Sequence, residues 1–268
     1  MRRHNIGPEG GARTIRLSES PRRRSLARAF DTSAKRSLDV LVAAALLCVL
    51  SPLILVVLVA IALESRGSLF YRARRVGYRG REFPMLKFRK MKSSANGLPL
   101  TLSDDDRFTR IGRFLAASKL DELPQLWNVV KGQMSLVGPR PEDPCFVAVV
   151  PDDYEVVTRV RPGITGLTQL AFARESEILE TTNCVDYYVS KLLHQKVQLD
   201  RLYVETRTLA MDLRILFWTG AAVVLRRPVA VNRASGHMNV RRRPKPTPES
   251  APAVDPTPAL EQVGYGDA

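Results

Sequence analysis

Residues 40–63 form an unbroken run of 24 side chains without a formal charge, VLVAAALLCVLSPLILVVLVAIAL. As a straight helix the run would extend about 36 Å, enough for the roughly 30 Å hydrocarbon core of a bilayer. It starts too late, is too long and lacks the small-residue cleavage site of a secretory signal. Its flanks argue against a simple crossing. Residues 1–39 carry ten Lys and Arg against four acids, and residues 66–92 carry ten more against Glu82 alone. A span would leave one of these clusters outside, against the bias that keeps basic flanks cytoplasmic. The predicted arrangement is therefore re-entrant, entering and leaving by one face. Ser51-Pro52 at the midpoint supplies the bend, because proline removes a backbone donor and crowds the preceding turn while Ser51 satisfies a freed backbone group. A Pro-kinked span is the competing arrangement, and both versions anchor the chain to inner-leaflet phospholipid.

Composition narrows the partner. The 268 residues include 41 Lys and Arg against 27 Asp and Glu, a formal charge of +14, which selects for an anionic partner. At 45% apolar the chain can build a core. Three scattered cysteines (Cys48, Cys145, Cys184) exclude a disulfide framework, and three histidines with no paired cysteine argue against structural zinc. Nucleic acid is not an expected partner: the densest basic clusters flank the apolar run, and no helix-turn-helix, finger or RNP-like pattern is present. The chain divides into a disordered basic tail at 1–30, the re-entrant helix at 31–65, a folded domain at 66–228 and a disordered Pro-rich tail at 229–268. Inside the domain, residues 69–75 and 82–89 read as a hairpin around Gly77 and Gly80. Residues 103–131, 154–160 and 178–195 read as mainly helical. The 13-residue stretch LRILFWTGAAVVL at 213–225 is too short to cross a bilayer and suits its interface.

Residues 118–132, SKLDELPQLWNVVKG, place Leu123, Leu126, Trp127 and Val130 on one helical face. Pro124 is tolerated only in a first turn, so the helix is expected to start near Asp121 and end near Gly132. Asp121 and Glu122 would then sit at a helix N-terminus, where the dipole favours ionised carboxylates. An ionised aspartate there serves as a nucleophile or a ligand for a divalent metal; ordinary capping is the plainer alternative. Two stiff turns follow. Gly138-Pro-Arg140-Pro141 and Arg161-Pro162-Gly163-Ile-Thr165-Gly166 each hold an arginine beside prolines or glycines, with Arg174 close behind. Two such turns after an acid pair fit a diphosphate site. Asp104-Asp-Asp106 is a weaker metal candidate. Asp186, Tyr187, Tyr188, Asp200, Tyr203 and Asp212 are polar positions among apolar ones, and Asp212 calls for a partner, with an arginine the expected one.

Taken together these residues resemble the bacterial sugar transferase family, the monotopic polyprenyl-phosphate phosphoglycosyl transferases. The resemblance runs over residues 35–224 through KRSLD (35–39), Ser51-Pro52, KFRKM (87–91), LDELPQLWNVVKGQMSLVGPRP (120–141), RPGITGLTQ (161–169), VDYYV (185–189) and MDLRIL (211–216). It implies a predominantly helical α/β fold, a single cytoplasmic catalytic domain at 66–228 and a re-entrant N-terminal membrane helix. It also implies transfer of a sugar-1-phosphate from a nucleotide diphosphate sugar, a UDP-sugar, to undecaprenyl phosphate, initiating exopolysaccharide or other glycoconjugate synthesis at the bacterial inner membrane. Carried over, Asp121 is the nucleophile that forms a phosphosugar–aspartate intermediate, Glu122 its dyad partner, and Mg²⁺ (or Mn²⁺) sits at Asp121. Arg140, Arg161, Arg174 and Asp186 join the substrate- or phosphate-binding set. Ala116 stands where similar sequences carry an arginine, so Arg113 or Lys119 is expected to supply that contact. Homo-oligomerisation stays open. A non-catalytic, basic membrane-surface scaffold is the alternative to an enzyme, and a direct single-step phosphotransfer is the alternative mechanism.

Overall fold

The computed structural model describes residues 33–92, 106–173, 184–225 and 229–240. The apolar run does break at its midpoint. Helices α1 (Ser33–Val49) and α2 (Ser51–Glu64) meet at a 62° bend, and among the described residues no single helix is long and apolar enough to cross a membrane. The chemistry of the bend is local. Pro52 has no N–H to offer the carbonyl four residues back, which belongs to Cys48, and the Ser51 hydroxyl donates to that oxygen at 2.8 Å. On either side of the break the backbone bonding continues, Leu50 N donating to Leu46 O at 2.8 Å and Ile54 N to Leu50 O at 2.9 Å.

Strands β1 (Phe70–Val76) and β2 (Glu82–Phe88) form the expected antiparallel hairpin. Helix α3 (Arg110–Ser118), capped by Thr109 Oγ1 on the Gly112 N–H at 2.9 Å, then leads through left-handed Lys119 into a 3₁₀ turn, Leu120–Glu122. The short helix α4 (Gln125–Val130) follows, so the single helix expected from Asp121 to Gly132 is in fact a 3₁₀ turn and a six-residue helix. Its packing also differs from the apolar-face prediction. Trp127 is exposed, while Gln125 and Asn128 are buried beside Leu126 and Val129. Asn128 earns its burial by hydrogen bonds: Oδ1 accepts from Leu86 N at 2.9 Å, and Nδ2 donates to Pro84 O at 2.9 Å and Gln133 Oε1 at 2.7 Å.

Strand β3 (Ser135–Val137) pairs in parallel with β4 (Gly163–Thr165). A Cβ on Gly163 would overlap the backbone of Gly138, and one on Gly138 the carbonyl of Arg161. The glycines thus serve close approach of the two turns to each other. Between these strands lie α5 (Pro144–Val147) and α6 (Pro151–Val157), and after them α7 (Leu167–Ala171). Helix α8 (Cys184–Tyr187) passes through a π-helical turn, Tyr188–Leu193, into α9 (His194–Thr206), and α10 (Leu209–Leu225) follows. Strands β5 (Val229–Val231) and β6 (Met238–Val240) close a last hairpin whose Val229 and Met238 are buried in the main core. The folded domain therefore extends to 240, past the boundary drawn at 228; the prediction of a disordered tail fails for 229–240, where two buried apolar side chains dock the hairpin. The fold is mixed α/β and mostly helical.

Both ends of the bent helix pair are fastened to the same globular unit. At the start of α1, Lys35 Nζ lies 2.6 Å from Asp212 on α10, and Arg36 donates to the carbonyls of Val129 and Val130 at the end of α4 and of Met134 just before β3. Asp39 accepts from Ser135 Oγ at 2.7 Å. The expected arginine partner of Asp212 is thus a lysine, joined by Tyr203 OH at 2.7 Å. At the end of α2, Glu64 accepts from the N–H groups of Arg110 and Ile111 at the start of α3, and Ser65 O accepts from Arg89 at 2.7 Å. Val57 and Ile61 of α2 pack with Phe88 and Leu115.

Candidate active site

The 3₁₀ turn carries the acid pair. Asp121 is only 2% exposed, and its Oδ2 lies 3.3 Å from Lys90 Nζ. Glu122 is partly buried, with Oε1 2.9 Å from Lys87 Nζ. Two lysines from the end of β2 thus face two adjacent carboxylates, one each. Burial would raise the Glu122 carboxyl, but Lys87, Arg140 and Lys119 together reverse that and bring it down to about 2, so it is ionised. Burial pulls the Lys90 ammonium below its usual range, with Lys87 adding to the effect and Asp121 opposing it. Asp121 is therefore not a helix cap. No side-chain cap bond is made in this turn, and the α-helix begins only at Gln125.

Each cation is positioned by a specific device. Asn128 pins β2 through Pro84 and Leu86, immediately before Lys87. Lys90 is held against α3 by Gly112, where a Cβ would overlap the Lys90 carbonyl, and Thr109 N donates to that carbonyl at 3.0 Å. Arg140, on the stiff turn after β3, lines a cleft with Lys87, Glu122, Gln125, Pro141 and Gln169. The cleft is bounded by Glu122; Asp121, paired with Lys90, is not among its lining residues.

Other sequence candidates fall elsewhere. Arg161 is not brought to the acid pair: its Nε donates to Gly132 O at 3.0 Å, its guanidinium lies over the Tyr78 ring at 5.1 Å, and it lines a separate pocket with Arg36 and Arg207. Its proline–glycine turn points the side chain back to brace the end of α4. Arg113 is exposed on α3, and of the two replacements for the missing arginine it is Lys119 that acts on Glu122. Asp186 is exposed on α8. Arg174 lies outside the described residues, as do Asp104 and Asp105, while Asp106 is exposed. Lys87 and Lys90 were visible in the sequence only as part of a basic run, and Asn128 only as a polar position on an apolar helix.

No group of three or more acidic, His or Cys ligands occurs among the described residues. Mg²⁺, unlike a caged metal, binds through as few as one or two carboxylates, with substrate phosphates and water completing its shell. Asp121 and Glu122 supply that minimum.

The model of the bacterial sugar transferase family matches residues 30–226. The UDP-glucose:undecaprenyl-phosphate glucose-1-phosphate transferase of Caulobacter vibrioides is 40% identical over 191 residues, 69% of this chain and 67% of that protein. The exopolysaccharide production protein ExoY of Sinorhizobium fredii is 37% identical over 210 residues, covering 72% of this chain and 86% of that one. The undecaprenyl-phosphate glucose phosphotransferase of Komagataeibacter xylinus is 36% identical, and the match spans 36% of its longer chain. With the acid pair, its facing cations and the bent helix pair lying inside the matched stretch, the chain belongs to the bacterial sugar transferase family.

Proposed function

We propose that the protein transfers a sugar-1-phosphate from a UDP-sugar to undecaprenyl phosphate at the inner face of the bacterial cytoplasmic membrane, as a starting step in exopolysaccharide or related glycan synthesis. The observation that carries this reading is the buried Asp121 on a 3₁₀ turn, paired with Lys90 and adjacent to Glu122, which Lys87 and Arg140 face. An anionic nucleophile must approach an anionic diphosphate, and this cluster supplies both the carboxylate and the cations that offset the repulsion. In the first step an Asp121 oxygen bonds to the phosphorus that bears the sugar, the phosphoanhydride bond breaks, and the nucleoside monophosphate leaves with its electron pair. In the second, an oxygen of the lipid phosphate attacks the same phosphorus and the aspartyl bond breaks. Lys90 Nζ, 3.3 Å from Asp121 Oδ2, is placed to offset charge where the diphosphate meets the carboxylate. Mg²⁺ held by Asp121, with Glu122 beside it, would neutralise developing phosphate charge. Relatives are named for glucose, galactose and N-acetylgalactosamine transfer, so the sugar stays open within the UDP-sugars.

The membrane part of the reading rests on fastening. Both ends of the α1–α2 pair dock on one globular unit, which keeps them on one side of a bilayer. With both ends at one surface, a 62° bend tilts each arm about 60° from the membrane normal. At 1.5 Å per residue the apex then reaches roughly 10–15 Å, within one leaflet. Exposed Leu41, Val49, Leu55, Val56 and Leu63 on the pair, and Leu213 and Phe217 on α10, are the surfaces that lipid would cover.

Asp121→Asn tests the assignment. Turnover of UDP-sugar with undecaprenyl phosphate should fall at least ~10³-fold while the protein still floats with liposomes. Sugar phosphate labelled on phosphorus should be trapped on the wild-type protein and not on the variant. Full activity in Asp121→Asn would end the reading, and turnover without trapping would point to direct displacement.

A further inference from the structure

Behind the Arg140 turn lies a cluster of buried polar side chains that the proposed chemistry does not use. Glu142, Tyr188, Lys196, Asp200 and Thr168 are all less than 10% exposed. Tyr188 OH donates to Glu142 Oε2 at 2.6 Å, and Lys196 Nζ donates to the same hydroxyl at 2.8 Å while standing 3.8 Å from Glu142. Thr168 Oγ1 donates to Asp200 Oδ1 at 2.6 Å, and that oxygen also accepts a long 3.4 Å bond from the backbone N–H of Arg140. The residues on either side of Pro141 are therefore both gripped from α9 and its approach: Arg140 through its backbone, Glu142 through its carboxylate. Glu142 is gripped a second time where its carbonyl accepts from Val76 N at 3.0 Å.

Two features argue against ordinary core filling. Burying five polar groups in one place costs stability unless every one is satisfied, and an apolar cluster would do the packing more cheaply. The helix also gives up regular α geometry here. The π-helical turn Tyr188–Leu193 is interposed where α8 runs into α9, and it starts at the residue whose hydroxyl joins Glu142 to Lys196. Such turns are uncommon and concentrate at functional sites. Lys196 and Asp200 are one turn apart on α9, so that single helix face carries both grips.

We propose that Tyr188, Lys196, Asp200 and Thr168 are positioning residues for Arg140, fixing the backbone on both sides of Pro141 so that the guanidinium meets the donor diphosphate in the cleft beside Glu122. This rests on the transferase reading above and adds to it a set of residues that touch no substrate. The two prolines restrain φ at positions 139 and 141 but leave the turn free to pivot as a body. Pivoting by an ångström is enough to spoil an arginine–phosphate contact. The grips from α9 remove that freedom.

The test is a double-mutant cycle on the full-length protein in liposomes, reading kcat and KM for the UDP-sugar. Tyr188→Phe deletes one hydroxyl and should lower kcat/KM about tenfold, chiefly through KM. In an Arg140→Ala background the same change should cost less than about twofold, because there is no guanidinium left to misplace. Equal losses in both backgrounds would assign the cluster a purely structural role and overturn the proposal, as would Tyr188→Phe with unchanged kinetics. Should Tyr188→Phe fail to fold, Thr168→Val asks the same question through Asp200. A wild-type protein without UDP-sugar turnover would instead refute the transferase reading, which separates the two failures.

Discussion

Asp200 has a measurable property of its own. Its burial raises the carboxyl to about 7, against the opposing pull of Thr168, the Arg140 N–H and Lys196, and Glu142 nearby adds to the rise. A carboxyl that binds its proton more tightly in the folded state contributes stability below about pH 4, and that contribution is lost as pH climbs to about 7. Asp200→Asn keeps an oxygen for Thr168 and cannot ionise. Its thermal midpoint should exceed that of the wild type by several degrees at pH 8, and the gap should shrink steadily toward pH 5; a gap independent of pH would show that Asp200 is not the group responsible. At this scale the sequence was informative wherever a residue type is rare in its context. Asp121, Glu122 and Arg140 stood out because acids before a proline, and an arginine between two prolines, have few uses. Lys87 and Lys90 did not, because a basic run on a strand looks the same whether it faces water or a carboxylate. Arg161 misled for the converse reason: its rigid turn is real, but the side chain is spent on Gly132 O and the Tyr78 ring.

Among the elements, the β1–β2 hairpin and the Ser51-Pro52 break followed from glycine and proline placement. The three-residue strands β3 and β4 are too short for any periodicity to reveal, and their pairing depends on Gly138 and Gly163 approaching from segments 25 residues apart. The junction of α3 with the end of β2 is equally hidden and bears directly on the site. Gly112 lets α3 lie against the Lys90 carbonyl, with no room for a Cβ. Gly112→Ala must therefore push the two segments apart, and Lys90 with them. Activity should fall at least ~10-fold, with liposome binding unchanged; wild-type turnover in this variant would show that the Lys90–Asp121 distance is not under α3's control.

For the molecule as a whole, the placement of both ends of the bent helix pair on one unit is the feature on which the proposed relation to a bilayer rests. Single cysteines introduced at Ala34 and at Ser68, in a Cys48-, Cys145- and Cys184-free background, should both react with an impermeant maleimide from the cytoplasmic side of inverted vesicles. Reaction of the two from opposite sides would establish a spanning helix. The basic clusters on both flanks of the apolar run already favoured the first outcome, but only the docking of Lys35, Arg36 and Glu64 ties those flanks to a fixed body. The last hairpin escaped prediction because its two buried residues, Val229 and Met238, sit among polar neighbours and proline, where composition reads as tail.

A body bolted to its anchor at both attachment points has no tether to swing on. The height of Asp121 above the apex at Ser51 is then a constant of the fold, like the throat depth of a press. In the proposed seating within one leaflet, a lipid acceptor would reach that fixed height by sliding sideways in the plane of the leaflet, and one whose phosphate rode at another level would be a poorer substrate.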